Sequence, residues 1–302
     1  MSTTVRVRVP ASSANLGPGF DTLGLALARY DQVDAQLTAD GLSVQVTGEG
    51  LHSLPLDETH LVVRAFRAAC ARLDFHPPGL FLRCHNAIPH ARGLGSSAAA
   101  IVAGVAAAYG LAGRPIGEDA VHLAAELEGH ADNAAASLLG GLVLAWQEKG
   151  RFRAVRLEPH PDLRPIALIP EEHSATSVTR GLLPDTVPHA DAARNAARCA
   201  LAVHALTERP DLLLAATEDR LHQDYRESAW PATMRLVREL RDGGVAATVS
   251  GAGPTVLAFT LDGRLPDVDR KGFTELELPI DRTGVRVEKL GSHEAPDPGD
   301  GF

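Results

Sequence analysis

The segment Pro89-His90-Ala91-Arg92-Gly93-Leu94-Gly95-Ser96-Ser97-Ala98-Ala99-Ala100 constrains the rest of the chain more than any other. A glycine-rich turn runs straight into a stretch, Ala98 to Ala108, that holds no Pro and a single Gly. This stretch predicts a helix from about Ser97 to Tyr109, apolar on nearly every side. Such a helix has to be buried, and its small side chains let neighbouring elements come close. Ser96 or Ser97 stands where an N-cap residue would stand. Free backbone N–H groups and the positive end of the helix dipole meet at a helix start of this kind, which suits an anion. The glycines supply the dihedrals and let the anion approach the backbone. A nucleotide phosphate is one candidate, and a helix cap with no ligand fits the same residues.

Two familiar phosphate motifs can be compared. A P-loop needs a Lys after its second Gly, and none follows here. Gly93-x-Gly95-x-x-Ala98 matches the dinucleotide fingerprint, which should follow a buried strand directly. Here the strand-like run Leu80 to Arg83 is separated from the glycines by the polar stretch Cys84 to Arg92.

A chain of 302 residues can form one large domain or two small ones. Its net charge of −9 argues against a general nucleic-acid binder. No window has the apolar length of a membrane span, and Met1-Ser2-Thr3-Thr4 lacks a signal pattern. Cys70, Cys84 and Cys199 have neither disulfide-framework nor zinc spacing. A reduced, cytoplasmic compartment is expected, with no nucleic-acid or membrane partner. The lysines are Lys149, Lys271 and Lys289, none near a glycine-rich stretch. Bound polyphosphate would have to be neutralised by backbone amides, Arg and a divalent metal.

Along the chain, Val5 to Val9 alternates as a half-buried strand does. Residues 11–21 read as a turn or loop containing Asn15 and Asp21, and residues 22–27 as strand. Asp31 to Leu37 and Leu42 to Thr47 suggest a hairpin around Ala39-Asp40-Gly41. Helical spacing covers 60–73, and 117–131 reads as a helix carrying Glu126, Glu128 and His130. If that helix reaches Ala131, Glu126 and His130 share a face, while Glu128 is expected to face solvent. The pattern resets near Lys149-Gly150. Strands at 151–157 and 164–170 follow, then the polar run 174–183, helices at 190–207, 211–225 and 231–242, and a strand–turn–strand at 244–260. The tail from Ser292 has a disordered composition.

Three glycine-rich elements thus stand in order, at residues 10–24, 89–99 and 248–256. From Val5 to about Leu290 the chain resembles the GHMP kinase superfamily, named for galactokinase, homoserine kinase, mevalonate kinase and phosphomevalonate kinase. Within it the chain is most similar to the homoserine kinases. The likeness rests on Pro10-Ala11-Ser12-Ser13-Ala14-Asn15-Leu16-Gly17-Pro18-Gly19-Phe20-Asp21, Glu126-Leu127-Glu128-Gly129-His130-Ala131-Asp132-Asn133, Arg180-Gly181-Leu182-Leu183-Pro184 and the segment from Asp219 through Arg226.

The resemblance implies an α+β, two-lobed fold with the active site in the cleft between lobes. Residues 1–150 would form the N-terminal lobe with the phosphate loop, 151–291 the C-terminal lobe and 292–302 a disordered tail, the lobes sharing one fold. It implies phosphorylation of the L-homoserine hydroxyl by ATP, a step toward threonine, in a homodimer. Pro89, Arg92, Gly93, Leu94, Gly95, Ser96, Ser97 and Ala98 would bind the ATP phosphates. Ser97 and Glu126 would hold Mg²⁺. Arg180 and Arg226 match the family's carboxylate-binding arginines and Asp21 its ammonium anchor. Asn15, His130 and Asn133 would surround the substrate's side chain and hydroxyl. Asp132 is a possible general base, ranked below a mechanism with none.

The chain departs from the family at His60, where Asn is common near the adenine pocket, and at Ala134-Ala135-Ala136-Ser137, where a Val and a Pro are common. Alternatives are another small-molecule kinase of the superfamily, a non-catalytic ligand-binding relative, and a nicotinamide-dependent oxidoreductase. Two cationic anchors argue against an uncharged sugar as acceptor.

Overall fold

The computed structural model describes residues 4–171 and 179–291. Residues 174–178 of the run 174–183 and the tail from Ser292 fall outside them.

The first sheet follows the order β11-β1-β2-β4-β3, with β5 joined to β2 and β6 to β5. Here β1 is Thr4–Asn15, β2 Gly19–Thr38, β3 Leu42–Gly48, β4 Gly79–Asn86, β5 Leu142–Glu148, β6 Arg151–Leu157 and β11 Arg286–Leu290. The alternation at the N-terminus is real: Val5, Val7 and Val9 are buried, and Arg6 forms a two-pronged pair with Asp34 directly across the ladder. The strand does not stop at Pro10. A register shift between Pro10 and Ala11 absorbs the proline's missing donor, and β1 continues to Asn15. Much of the expected loop 11–21 is therefore the tip of a long hairpin. Asn15, Leu16 and Gly17 turn it, all at positive φ.

The expected hairpin of residues 31–47 is corrected. β3 pairs in parallel with β4, and β4 lies between β2 and β3. Alternation marks a strand but not its partner. Helix α1 (Leu61–Leu73) provides the crossover that a parallel pair needs.

Helix α2 (Ser96–Leu111) packs on β1, β2 and β11 and against α1, α3 (Glu118–Glu128) and α4 (Asp132–Leu139). Twelve of its residues are buried, as its composition requires. A Cβ on Gly104 would lie 2.3 Å from the Val62 carbonyl oxygen, so α1 and α2 meet at backbone distance.

The second sheet runs β10-β7-β9-β8, formed by Phe273–Glu277, Arg164–Pro170, Val256–Thr260 and Ala246–Val249. Leu168, Val249 and Val256 of this sheet pack on Met234, Leu236, Val237 and Leu240 of a helix over Pro231–Asp242. The expected helix at 190–207 is present as α5 (His189–Thr207). The one expected at 211–225 is only a 3₁₀ turn, the short α6 (Leu213–Ala216) and a second 3₁₀ turn at Asp224–Arg226; α7 is Pro231–Asp242. Asp219 interrupts it, because its carboxylate accepts the amides of Leu221, His222 and Gln223.

The expected boundary near residue 150 lies inside the β5–β6 hairpin, and β11 returns to the first sheet. The main hydrophobic cluster is shared by both lobes: Val9 and Ile101 belong to it, as do Leu206 and Phe259. All three cysteines are free thiols. Among the described residues no helix is long and apolar enough to cross a membrane.

Candidate active site

The three glycine-rich segments converge. The Ser12 N–H donates to Leu94 O at 3.1 Å, Gly251 N–H to Ala14 O at 3.1 Å and Thr255 N–H to Arg92 O at 3.3 Å. The Ser250 hydroxyl donates to Gly93 O at 2.6 Å. Gly93 and Gly95 both have positive φ. Added Cβ atoms would lie 2.3 Å from Ser250 O and 2.1 Å from Ser12 Oγ respectively, so both positions require glycine twice over.

Gly95, in the left-handed region, is the N-cap of α2, in place of the expected Ser96 or Ser97. The first bond of the helix runs from Ala99 N–H to Gly95 O. The amides of Ser96, Ser97 and Ala98 precede it and are spare. Ser96 and Ser97 open on a cavity of about 290 Å³. Arg92, Gly93, Gly95, Ser96 and Ser97 line this cavity, whereas Pro89, Leu94 and Ala98 are buried behind it. The Arg92 guanidinium donates to the Pro170 and Glu171 carbonyls at 2.8 and 2.7 Å. It ties the loop to the end of β7 and faces those carbonyls.

The acidic group beside Ser97 is not the expected one. Helix α3 stops at Glu128, where Gly129 (φ +89°) caps it in the left-handed region. Glu126 and His130 therefore share no face. Glu126 pairs with Arg72 at 3.1 Å and approaches His122 on the outer side of α3. Glu128, expected in solvent, accepts the Ser97 hydroxyl at 2.8 Å and lines the cavity. Burial raises its pKa above 4.5, against the lowering effect of the Ser97 bond and the nearby His130. A half-buried carboxylate that accepts one hydroxyl is a site that gains from a cation. Among the described residues no three His, Cys, Asp or Glu side chains group as a metal cage. Magnesium needs no such cage where phosphate and water complete its shell, so Ser97 and Glu128 fit it and Glu126 does not.

Beyond Gly129 the chain turns inward. His130 Nδ1 lies 3.0 Å from Asp132 Oδ1, which also accepts the Asn133 N–H at 2.7 Å. Asp132 is almost fully buried. Burial disfavours the His130 imidazolium, but the hydrogen bond to Asp132 and the charges of Asp132, Glu128 and Asp21 prevail and raise its pKa above 6.5.

On the opposite wall Asp21 and Arg180 form a two-pronged pair at 2.8 and 3.0 Å. Asp21 has φ +53°, and its N–H donates to Asn15 Oδ1. Asn15 Nδ2 donates to Gly251 O, so this side chain staples two loops as well as lining the cavity. Arg226 is buried, and burial with the nearby Arg180 lowers its pKa to about 10. His222 Nε2 lies 2.8 Å from the Gly17 carbonyl, an acceptor, so Nε2 carries the proton. Nδ1 is left to accept from Arg226 at 2.8 Å. Burial keeps His222 neutral by lowering its pKa. The Phe20 ring lies 5.4 Å from the Arg180 guanidinium and 5.7 Å from that of Arg226. Phe20, His222 and Glu128 had no role in the sequence reading. Only Glu128 had a usable signal, the glycine that follows it.

A second cavity of about 210 Å³ shares Ser96 and Ser97 with the first. Leu54, Leu61, Val62 and Ala100 give it apolar walls, and His60 lines it with neither ring nitrogen partnered in the protein.

Comparison with known proteins is consistent with this geometry. The model of the GHMP kinase N-terminal domain matches residues 60–141, and that of the GHMP kinase C-terminal domain matches 190–270. The homoserine kinase of Rhodococcus opacus is 54% identical over 94% of this chain and 97% of its own length. That of Streptomyces coelicolor is 54% identical over 95% and 96%. The crystal structure of homoserine kinase from Cytophaga hutchinsonii superposes with a TM-score of 0.83, covering 94% of this chain and 97% of that one; at 24% identity it speaks to the fold.

Proposed function

Since the chain belongs to the GHMP kinases, and among them to the homoserine kinases, we infer that it transfers the γ-phosphoryl group of ATP to the hydroxyl of L-homoserine, yielding ADP and O-phospho-L-homoserine on the way to threonine. The observation that carries this reading is a single cavity that joins a phosphate-type helix start to an acid and two arginines.

The spare amides of Ser96, Ser97 and Ala98 receive the phosphates. The nucleoside lies in the adjoining apolar cavity, where the buried His60 has no hydrogen-bond partner among the described residues. No lysine lines the phosphate cavity, so amides, the helix dipole, the nearby Arg92 and a cation supply the positive charge there. Ser97 and Glu128 are the residues that would hold magnesium, which would offset the negative charge of the phosphates there.

Homoserine is an amino acid, and the far wall suits one. The Arg180 fork, with Arg226 behind it, meets the carboxylate, and Asp21 meets the ammonium. Asp21 and Arg180 pair with each other and would exchange that pair for the two charges of the zwitterion. His130 and Asn133 then face the substrate hydroxyl. The Asp132 carboxylate is already shared by His130 and the Asn133 amide. We assign it the positioning of His130, with no side chain required as base. Phosphoryl transfer needs chiefly alignment and charge stabilisation. A homodimer is the assembly proposed from the family likeness.

A coupled kinase assay across L-homoserine, mevalonate and galactose tests the reading. Homoserine is expected to be strongly preferred with ATP and Mg²⁺, and preference for an alcohol that is not an amino acid would overturn it.

A further inference from the structure

We infer that Ser12 is a positioning residue that couples the phosphate loop to the side-chain amide of Asn133, fixing which end of that amide meets the acceptor hydroxyl. The inference rests on the kinase reading above.

Ser12 is fully buried in β1 and holds both partners at once. Its backbone N–H donates to Leu94 O in the phosphate loop. Its hydroxyl donates to Asn133 Oδ1 at 2.9 Å. On α4, the Ser137 hydroxyl reaches Pro10 O at 3.1 Å and Ser12 Oγ at 3.3 Å, which confines Ser12 further. With Oδ1 taken by Ser12, Nδ2 is the free end of the Asn133 amide. Asn133 lines the cavity, and an N–H donor there meets the oxygen of the acceptor hydroxyl, leaving its lone pair in line for phosphorus.

Gly95 completes the coupling. A Cβ at that position would stand 2.1 Å from Ser12 Oγ and 3.1 Å from Asn133 Oδ1. The loop that receives the phosphates therefore lies directly on the pair that orients the acceptor. Donor and acceptor substrates are aligned through one shared residue, whose backbone N–H holds the loop and whose hydroxyl holds Asn133. Without it, the Asn133 amide has lost the bond that distinguishes its two flipped orientations.

The test is a double-mutant cycle in the full chain, with Ser12→Ala, Asn133→Ala and both together, measured by steady-state kinetics with ATP, Mg²⁺ and L-homoserine. Ser12→Ala is expected to lower kcat by about tenfold, the worth of one buried hydrogen bond, and to leave KM for ATP nearly unchanged. In the Asn133→Ala background the same change is expected to cost almost nothing further. An equal loss in both backgrounds, or wild-type kcat for Ser12→Ala, would overturn the proposal. Should Asn133→Ala turn over too slowly to time, the cycle is read in the Kd for homoserine on the ADP complex by calorimetry, with the same two outcomes. The wild-type rate with homoserine checks the kinase reading separately, so the two failures are told apart.

Discussion

Two glutamates, two residues apart, divide between the outer surface and the cleft because α3 ends between Glu128 and His130. Glu126 is held by Arg72 outside; Glu128 is held by Ser97 inside. The substitution Glu128→Gln removes the charge that a magnesium ion would need while keeping a partner for Ser97. It should lower kcat by roughly 100-fold at ordinary magnesium concentrations, with partial recovery at high magnesium. Glu126→Gln should stay within about twofold of wild type, since a surface ion pair contributes at most about 1 kcal/mol. Steady-state rates over a magnesium titration separate the two. The opposite ranking would return the metal to Glu126. This is also where residue-level legibility in the sequence ran out. The residue types that line the cleft were visible in Glu126 to Asn133, but a helix read through to Ala131 placed Glu126 on the face of His130, whereas the helix ends at Glu128. Gly129 was the available stop signal.

At the level of elements, the same glycine has a measurable role. Gly129 sits at φ +89° with open space around its Cα, so an alanine there meets strain alone. Gly129→Ala should cost about 1–2 kcal/mol of stability, read by denaturant unfolding, and should lower kcat as well because Glu128 and His130 flank the turn. Unchanged stability would mean that the left-handed cap is not formed in solution. A second element-level case is Asp31 on β2, whose carboxylate accepts the amides of Ala87 and Ile88 just before the phosphate loop. Burial disfavours its charge more than these two bonds favour it, so its pKa lies above 3.8. A raised folded-state pKa contributes stability that is full below the unfolded pKa and is lost as pH rises through the folded one. Asp31→Asn keeps an acceptor for both amides and carries no charge. Near neutral pH it should melt at or above the wild-type temperature, and the difference should close below about pH 4. A lower melting temperature at neutral pH would contradict this. Elements with a strong local signal, the unbroken small apolar run of α2 and the amphipathic spacing of α7, were legible in the sequence. The pairing of β3 with β4, and the breakup of residues 211–225 by Asp219, were not. A strand's partner is set by a distant segment, and one carboxylate capping three amides overrides helical spacing.

Across the whole molecule, the second lobe adds a covering sheet and helices, while β6 and β11 return to the first sheet. The lobes share one hydrophobic cluster, and the cleft is sewn together by bonds among residues that are far apart in the chain: Asn15 to Gly251, Ser250 to Gly93, His222 to Gly17. Each of the three glycine-rich segments was visible as a motif, and their order carried the resemblance to GHMP kinases. Their mutual hydrogen bonds, and the neutral His222 behind Arg226, depend on the closed fold and have no local signal. On the proposed reading these segments build one site in which ATP phosphates, magnesium and homoserine meet. A crystal structure with a non-hydrolysable ATP analogue, Mg²⁺ and L-homoserine tests it most directly. Phosphates are expected on the amides of Ser96 to Ala98, the metal between Ser97 and Glu128, and the homoserine carboxylate on Arg180 with its hydroxyl beside Asn133. A metal at Glu126, or homoserine bound away from Asp21 and Arg180, would contradict it.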